Sequence, residues 1–188
     1  MSGCAFSIFG TSIGRCALLW RGGLVVGAAL PEGSDEEMRR SLSRRFPDAA
    51  EGDPTPHAAA AIDAVARLLE GEDEDLSSIE VDLSSLPEFE RRVLEQIRLI
   101  RRGETRTYGW IASALGSPGA ARAVGRALGR NPIPIVIPCH RVLAASGRSG
   151  GFSAPGGVTT KMKMLQIERA RRSAAPELFQ DLPLAMRP

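Results

Sequence analysis

The N-terminal part of the chain alternates short apolar runs with glycine-containing turns. Residues 4–30 read CAFSIFGTSIGRCALLWRGGLVVGAAL, a pattern typical of an antiparallel meander. SDEEMRRSLSRRF then carries a capping-box signature, with Ser34 followed three residues later by Glu37, which predicts a helix start. HAAAAIDAVARLLEG predicts a second helix that ends at Gly71. IEVDL, at residues 79–83, predicts one more short strand.

The pattern changes to helices after Ser84. A helix is predicted to start at Pro87, with its apolar side chains on one face. YGWIASALG and PGAARAVGRALGRN predict two short helices with the outline of a helix-turn-helix. Residues 133–137 predict a buried strand, and TTKMKMLQIERARR predicts a last helix after a glycine-rich loop. The apolar positions of the first helix are Phe89, Val93, Leu94, Ile97 and Ile100.

These elements predict an α/β (α+β) fold in two domains. Residues 1–84 form a small N-terminal α/β domain, and residues 85–172 form a helical domain that carries the helix-turn-helix. Residues 173–188 contain three prolines and are predicted to be a loosely ordered tail.

Composition indicates a globular protein. The chain has 188 residues, of which 43% are hydrophobic and 24% are charged, values typical of soluble domains. No apolar run reaches the roughly 20 residues of a membrane helix, and the N-terminus lacks the pattern of a signal peptide. Three cysteines make an odd count, so a reduced, cytoplasmic protein without a disulfide framework is predicted.

The net charge of +2 conceals a strong asymmetry. Residues 1–86 hold 15 acidic and 7 basic residues, whereas residues 87–188 hold 7 acidic and 17 basic residues, of which 15 are arginine. A swing of this size favours two domains, the second of which binds a polyanion. Arginine is the cation suited to phosphates and base edges.

A cysteine and a histidine stand together at the end of the predicted buried strand. Cys139 is therefore either an inert packed thiol or a nucleophile, and His140 beside it is a candidate base. Glu168 falls on the same helical face as Lys161 and the apolar Met164. If this carboxylate faces inward it needs a partner, for which His140 is the candidate. The alternative is that Glu168 reaches solvent at the edge of the stripe.

The second helix of the pair carries Arg122, Arg126 and Arg130 at intervals of four residues, so these three form one stripe. Small residues lie between them. They would let the helix backbone approach DNA closely, or they mark tight packing within the core. Because three aligned arginines are hard to bury, the stripe favours DNA binding.

Other chemistries find little support in the sequence. Cys4, Cys16 and His57 match no zinc-ligand spacing, so two buried strand cysteines are the favoured interpretation, and no metal or cofactor is predicted. No G-x-S-x-G nucleophile elbow occurs, and neither does a phosphate loop or a dinucleotide glycine fingerprint.

The region from YGWIASALGSPGAARAVGRALGRN through NPIPIVIPCHRV to GGFSAPGGVTTKMKMLQIE closely resembles the O6-alkylguanine-DNA alkyltransferases, also called methylated-DNA–protein-cysteine methyltransferases. The resemblance covers about residues 87–170. Residues 1–84 fit loosely the ribonuclease-H-like N-terminal domain of that family. The resemblance implies irreversible, single-turnover transfer of an alkyl group from flipped-out O6-alkylguanine, and also O4-alkylthymine, in double-stranded DNA. It implies a monomer that contacts the minor groove.

The resemblance also assigns residue roles. Cys139 matches the alkyl acceptor, His140 the base that acts through a water, and Glu168 the carboxylate that orients this histidine. Asn131 matches a hinge between the recognition helix and the active-site loop. Tyr108 matches the residue that helps to rotate the nucleotide and donates a proton toward guanine O6.

Further residues match the DNA-binding and substrate-binding positions of the family. Arg122 matches the arginine finger that fills the space of the extruded nucleotide. The remaining DNA-binding positions are Ala121, Ala123, Gly125, Arg126 and Arg130. The substrate pocket is assigned to Tyr108, Pro134, Val142, Phe152, Ser153 and Lys161.

Two departures from the family pattern concern the pocket wall and hence the size of the alkyl group. The loop APGGVTT before Lys161 is longer than usual, and Phe152 stands where a tyrosine is frequent.

Two other functions would explain part of the sequence. A non-enzymatic lesion sensor or regulator would lack the acceptor cysteine, and a thiol hydrolase would not explain the arginine stripe.

Overall fold

The N-terminal meander forms as predicted in the computed structural model, which describes residues 3–145 and 150–170. Its first three strands are antiparallel, and the order across the sheet is β3-β2-β1-β4. The fourth strand, which the sequence pattern did not predict, pairs in parallel with the first. The strands are β1 (Cys4–Thr11), β2 (Gly14–Arg21), β3 (Leu24–Ala29) and β4 (Ala49–Glu51).

Both predicted N-terminal helices are confirmed, with their caps. Helix α1 (Asp35–Arg45) begins at a complete capping box, because the Ser34 hydroxyl accepts from the Glu37 amide at 3.3 Å and Glu37 accepts from the Ser34 amide at 2.8 Å. Helix α2 (Pro56–Glu70) ends at Gly71, whose φ of 92° is left-handed.

The two helices cover opposite faces of the sheet. Cys16 and Leu18 of β2 belong to the larger core, together with α2, whereas Cys4 of β1 belongs to a smaller core with Leu42 of α1. The strand cysteines therefore pack on different faces, and His57 is exposed. No group of three or more potential ligands that could hold a metal ion occurs among the described residues.

The C-terminal half is helical, as predicted, so the mixed α/β fold class is confirmed. None of the helices within the described residues is long and apolar enough to cross a bilayer. The elements are α3 (Glu88–Arg98), β5 (Arg106–Thr107), α4 (Tyr108–Ala114), α5 (Ala121–Gly129), β6 (Val142–Leu143), α6 (Gly157–Ile167) and two short 3-10 helices, Leu76–Ser78 and Cys139–Arg141.

The two halves meet at the outer edge of β3, where the Ala28 amide donates to the Pro132 carbonyl at 2.9 Å. Farther along the same edge, the Val25 amide donates to the carbonyl of Glu80, which belongs to the N-terminal half, also at 2.9 Å. Buried side chains from β2 and α2 share one core with those of α3, α4 and α5. The division at residue 84 stays a prediction, because the apolar core runs across it.

Three predicted details are wrong. Residues 133–137 form no strand: Pro134 and Pro138 restrict the backbone, and only an isolated bridge joins Pro134 to Ile137. IEVDL likewise contributes a single bridge, between Val81 and Val25. The loop before Lys161 is shorter than predicted, because α6 already begins at Gly157.

The last helix also ends early, at Ile167, and Glu168 is its C-terminal cap. Arg169 follows with a left-handed φ of 51°, which terminates the helix. Residues 171–172 of the predicted helix and the predicted tail at 173–188 lie outside the described residues.

Gly71 tests the importance of backbone conformation at the end of α2. A Cβ at this position would meet no heavy atom closer than 3.8 Å, so Gly71→Ala should cost stability through its positive φ alone. We expect a loss of about 1 kcal/mol in the free energy of unfolding, measured by urea denaturation. Gly52→Ala, also in open space but without a positive φ, is the control. Equal effects of the two substitutions would contradict the prediction.

Candidate active site

The turn that precedes Cys139 is clamped by the side chain of Asn131. Its amide nitrogen donates to the Ile137 carbonyl at 2.9 Å, and its oxygen accepts from the Ile133 amide at 3.0 Å. Both bonds are local to residues 131–138 and close this segment into a compact turn. The asparagine predicted to be a hinge therefore joins the end of α5 to the segment that leads into the nucleophile.

Cys139 begins the short 3-10 helix that follows the turn. Its side chain reaches the cleft although the residue is only 9% exposed. Burial raises the pKa of the Cys139 thiol, and the smaller opposing effects of Asn131 and Lys161 do not offset it. The thiol is therefore protonated near pH 7, and its reaction as a thiolate requires a base.

His140 and Glu168 form the pair that the sequence predicted. Nε2 of His140 lies 2.9 Å from Oε1 of Glu168, and both residues are almost completely buried. The inward alternative for Glu168 is thus confirmed. Glu168 keeps the helical phase of α6, because its amide donates to the Met164 carbonyl at 3.0 Å and it is buried on the same side as Lys161 and Met164.

Arg141 is a third member of this cluster, which the sequence pattern did not predict. Its Nε and Nη2 donate to the two carboxylate oxygens of Glu168 at 2.9 and 2.8 Å, and its Nη1 donates to the Ile100 carbonyl at 2.6 Å. The sequence contained a reason to expect a cation beside Glu168. A buried carboxylate needs a cation, and a neutral histidine cannot supply that charge.

The charges of the cluster assign the proton on His140. Burial favours the neutral acid of Glu168, but the hydrogen bonds from His140 and Arg141 and the charge of Arg141 outweigh this effect and lower the pKa of Glu168. Burial lowers the pKa of His140, against the opposing effect of Glu168, so the ring is neutral near pH 7. Arg141 is then the cation that keeps Glu168 ionised.

An ionised carboxylate only accepts hydrogen bonds, so Nε2 of His140 carries the proton and donates it. Nδ1 consequently holds the basic lone pair. This atom is buried and has no hydrogen-bond partner among the described protein atoms. The cluster can therefore provide a neutral imidazole with a fixed tautomer and a basic nitrogen directed away from Glu168.

Lys161 and Phe152 also lie near the nucleophile. Lys161 is fully buried, and its Nζ donates to the Val142 carbonyl at 2.6 Å and lies 6.0 Å from the centre of the Phe152 ring. Burial lowers the pKa of Lys161 to about 8, although the nearby Cys139 raises it. A cation here favours the thiolate form of Cys139.

Tyr108 also forms part of the cleft wall. Its hydroxyl donates to the Gly151 carbonyl at 3.4 Å, and its ring lies against Gly125 of α5, where a Cβ would be 3.7 Å away. Burial, followed by the proximity of Cys139, raises the pKa of the Tyr108 phenol. The phenol is therefore a proton donor at neutral pH.

A cleft of about 1070 Å³ opens over Cys139. Nine of the predicted site residues line it, whereas His140, Val142, Lys161 and Glu168 are buried and do not line it. The predicted site residues that line the cleft are Tyr108, Ala121, Gly125, Arg130, Asn131, Pro134, Cys139, Phe152 and Ser153. The N-terminal half adds a wall that the sequence pattern did not predict, formed by Ala28, Ala29, Leu30, Glu32, Arg45 and Phe46.

The arginine stripe lies on the exposed side of α5. Arg122 and Arg126 are exposed, while Val124 and Ala127 of the same helix are buried in the core. Arg130, just after the helix, is exposed but forms an ion pair with Glu90 at 2.6 Å. Ala123 is half-buried. The helix thus presents two unpaired arginines, among the described contacts, next to the mouth of the cleft.

Comparisons with known proteins agree with this geometry. The family model of the DNA binding domain of 6-O-methylguanine DNA methyltransferase matches residues 88–170. A methylated-DNA–protein-cysteine methyltransferase of Mycolicibacterium paratuberculosis is 52% identical over 101 residues, which cover 54% of this chain and 59% of the relative. A probable enzyme of the same name from Acanthamoeba polyphaga mimivirus is 34% identical over 135 residues, which cover 72% of this chain and 86% of the relative.

Solved structures extend the similarity to both halves of the chain. The crystal structure of Mycobacterium tuberculosis OGT in complex with DNA matches with a TM-score of 0.72 and 34% identity, covering 90% of this chain and 96% of that chain. O6-methylguanine-DNA methyltransferase from Pyrococcus kodakaraensis matches with a TM-score of 0.67 and 28% identity, covering 87% and 98% of the two chains. The chain therefore belongs to the 6-O-methylguanine DNA methyltransferase family.

Proposed function

We propose that this protein repairs DNA by transferring the alkyl group of O6-alkylguanine to Cys139, once per molecule. The observation that carries the proposal is a nearly buried thiol at a cleft, followed directly by a histidine whose tautomer is fixed by Glu168. The names of the relatives support the same reaction. A lesion sensor without chemistry would have no use for a base beside a buried thiol.

The reaction begins with removal of the thiol proton. Nδ1 of His140 accepts the proton from Cys139 through a bridging water, and Glu168 stabilises the imidazolium that forms. The thiolate then attacks the alkyl carbon in line, so the C–S bond forms as the C–O6 bond breaks. Tyr108 donates a proton toward O6 as guanine leaves, and it regains one from the imidazolium through water. The thioether has no easy leaving group, which limits each molecule to one transfer.

The substrate carbon lies inside a base pair, so the nucleotide must leave the duplex. We assign α5 to the minor groove, where Arg122 fills the space of the extruded nucleotide. The small residues Ala121 and Gly125 allow the helix backbone to approach DNA, and Arg126 binds phosphate. Arg130 contributes less to binding, because its ion pair with Glu90 must first be broken.

The guanine pocket is assigned to the two sides of the cleft. The flipped base would lie between Tyr108 and the segment Phe152–Ser153, with Pro134 and Val142 near the alkyl group. The cleft, at about 1070 Å³, has more volume than one base occupies, so substituents larger than methyl are included in the proposal, as is O4-alkylthymine. Lys161 supports this wall from behind through its bond to the Val142 carbonyl.

We further propose that the protein acts as a monomer in the cytoplasm, with residues 1–84 and 85–172 as its two domains. The three described cysteines are free thiols, and a nucleophilic thiol needs a reducing compartment to remain available.

Cys139 provides the direct test of the reaction. After incubation with duplex DNA that contains O6-methylguanine, mass spectrometry should find one added methyl group on the peptide that contains Cys139. Cys139→Ser should acquire none, while Cys16→Ser, which removes a thiol from the other half of the molecule, should react like the wild type. Methyl transfer to the Cys139→Ser variant would exclude the proposal.

Glu168→Gln tests the assigned proton on His140. The neutral amide no longer raises the pKa of His140, so the acid limb of the transfer rate should move to lower pH, while the plateau rate falls about tenfold to a hundredfold. The buried Arg141 also loses its counter-charge, so stability should fall by about 3 kcal/mol. Stopped-flow rates with methylated DNA from pH 5 to 8 and urea denaturation measure these effects.

Glu51→Gln is the control for Glu168→Gln, since it breaks an exposed ion pair with Arg39. It should leave both the rate and the pH profile unchanged. An unchanged rate in Glu168→Gln, or a loss of DNA affinity alone, would contradict the role of Glu168.

Substitutions of Arg122 and Arg126 should distinguish extrusion of the nucleotide from binding of the DNA phosphates. Arg122→Ala should slow repair of duplex DNA at least about tenfold more than reaction with free O6-benzylguanine, which needs no flipping. Arg126→Ala, on the same exposed face, should lower the salt dependence of DNA binding by about one unit of slope and leave the free-base reaction unchanged. Equal losses of Arg122→Ala with both substrates would indicate a structural role instead.

A further inference from the structure

The turn at residues 131–138 contains a strained residue. Ile135 has a φ of 77° and is 2% exposed. β-branched side chains rarely adopt this left-handed conformation, so the turn persists only because its surroundings hold it. Four residues later the chain reaches Cys139. Whatever restrains the turn therefore also determines where the thiol is presented.

One restraint comes from the N-terminal half of the molecule. The Ala28 amide, on the outer edge of β3, donates to the Pro132 carbonyl at 2.9 Å. The Ala28 carbonyl in turn accepts from Nη2 of Arg45 at 3.3 Å. The amide and the carbonyl of Ala28 thus both point away from β2. The amide points toward the active-site turn, and the carbonyl points toward Arg45.

Arg45 is itself fixed by its neighbours. Its Nη1 lies 3.5 Å from Oε1 of Glu32, and its guanidinium stacks over the Phe46 ring at 5.5 Å. All three side chains line the same cleft as Cys139. A Cβ on Gly27 would come within 2.7 Å of the Phe46 ring, so this ring packs directly on β3.

We propose that Arg45 is a positioning residue for Cys139. It fixes the edge of β3, and through the bond from Ala28 to Pro132 this edge holds the strained turn in the conformation that presents the thiol. The inference rests on the proposed function, since it concerns the rate at which Cys139 accepts an alkyl group. It gives the N-terminal sheet a part in the reaction without any contact to the substrate.

A relaxed turn should also change the protonation of the nucleophile. Asn131 belongs to the turn, and its interaction with Cys139 lowers the pKa of the thiol. The other groups near the thiol lie on different elements: Lys161 on α6, Tyr108 on α4, and His140 beside it with Glu168 behind. Because these groups stay in place, loss of Arg45 should raise the thiol pKa through Asn131.

The experiment uses the full chain and free O6-benzylguanine, so that DNA binding plays no part. Rates of alkylation of Cys139 are measured by mass spectrometry from pH 6 to 10 in the wild type, Arg45→Met, Arg45→Lys and Arg39→Met. Arg39 is the matched control, because it lies on α1, is 41% exposed compared with 38% for Arg45, and pairs with Glu51 at 2.7 Å. Thermal unfolding of each variant accompanies the rates.

Arg45→Met should react at least about tenfold more slowly at pH 7, with its rate curve displaced to higher pH. Arg45→Lys should be intermediate and decides the question if the methionine variant does not fold. Arg39→Met should match the wild type. Equal rates in the Arg45 and Arg39 variants, or a slower Arg45 variant with an unmoved pH curve, would overturn the inference. A wild type that reacts neither with the free base nor with duplex DNA containing O6-methylguanine would instead contradict the proposed function.

Discussion

The carboxylate of Glu168 holds the active site together. Glu168 is the C-terminal cap of α6, and its carboxylate accepts hydrogen bonds from His140 and Arg141 of the short 3-10 helix. Arg141 in turn donates a hydrogen bond to the Ile100 carbonyl, just after α3. Buried ion pairs of this kind seldom add much net stability, because desolvation offsets most of the attraction. Their effect is geometric, since any displacement leaves a charge without a partner. The cluster therefore fixes the direction of the imidazole more firmly than apolar packing could.

The elements that the sequence predicted correctly are those whose signals are local. The capping box of α1, the left-handed glycine after α2 and the helical stripe of α3 each depend on residues within a few positions of one another. The motif around Cys139 and His140 is local in the same sense. The pairing of His140 with Glu168 was also predicted, because an inward carboxylate needs a partner and few candidates were available.

What the sequence did not predict depends on contacts between distant segments. An apolar run such as residues 133–137 fits a buried strand, but Pro134, the following Pro138 and the Asn131 side chain replace strand pairing by a clamped turn. β4 has only three residues and exists because β1 offers a free edge. The cleft wall of Arg45 and Phe46 is set by the docking of the two halves along β3. Neither periodicity nor capping carries information about that docking.

The covered edge of β3 also affects solubility. A sheet with an open edge strand can recruit strands from other molecules, and proteins avoid this by covering or shortening the edge. Here β3 is covered by residues 80–82 and by Pro132, while the opposite edge is the short β4. The segment that leads into the nucleophile thus also shields the sheet from aggregation. A rearrangement that pulled this segment away from β3 would expose a strand edge, so the integrity of the active-site turn and the colloidal stability of the protein depend on the same hydrogen bond.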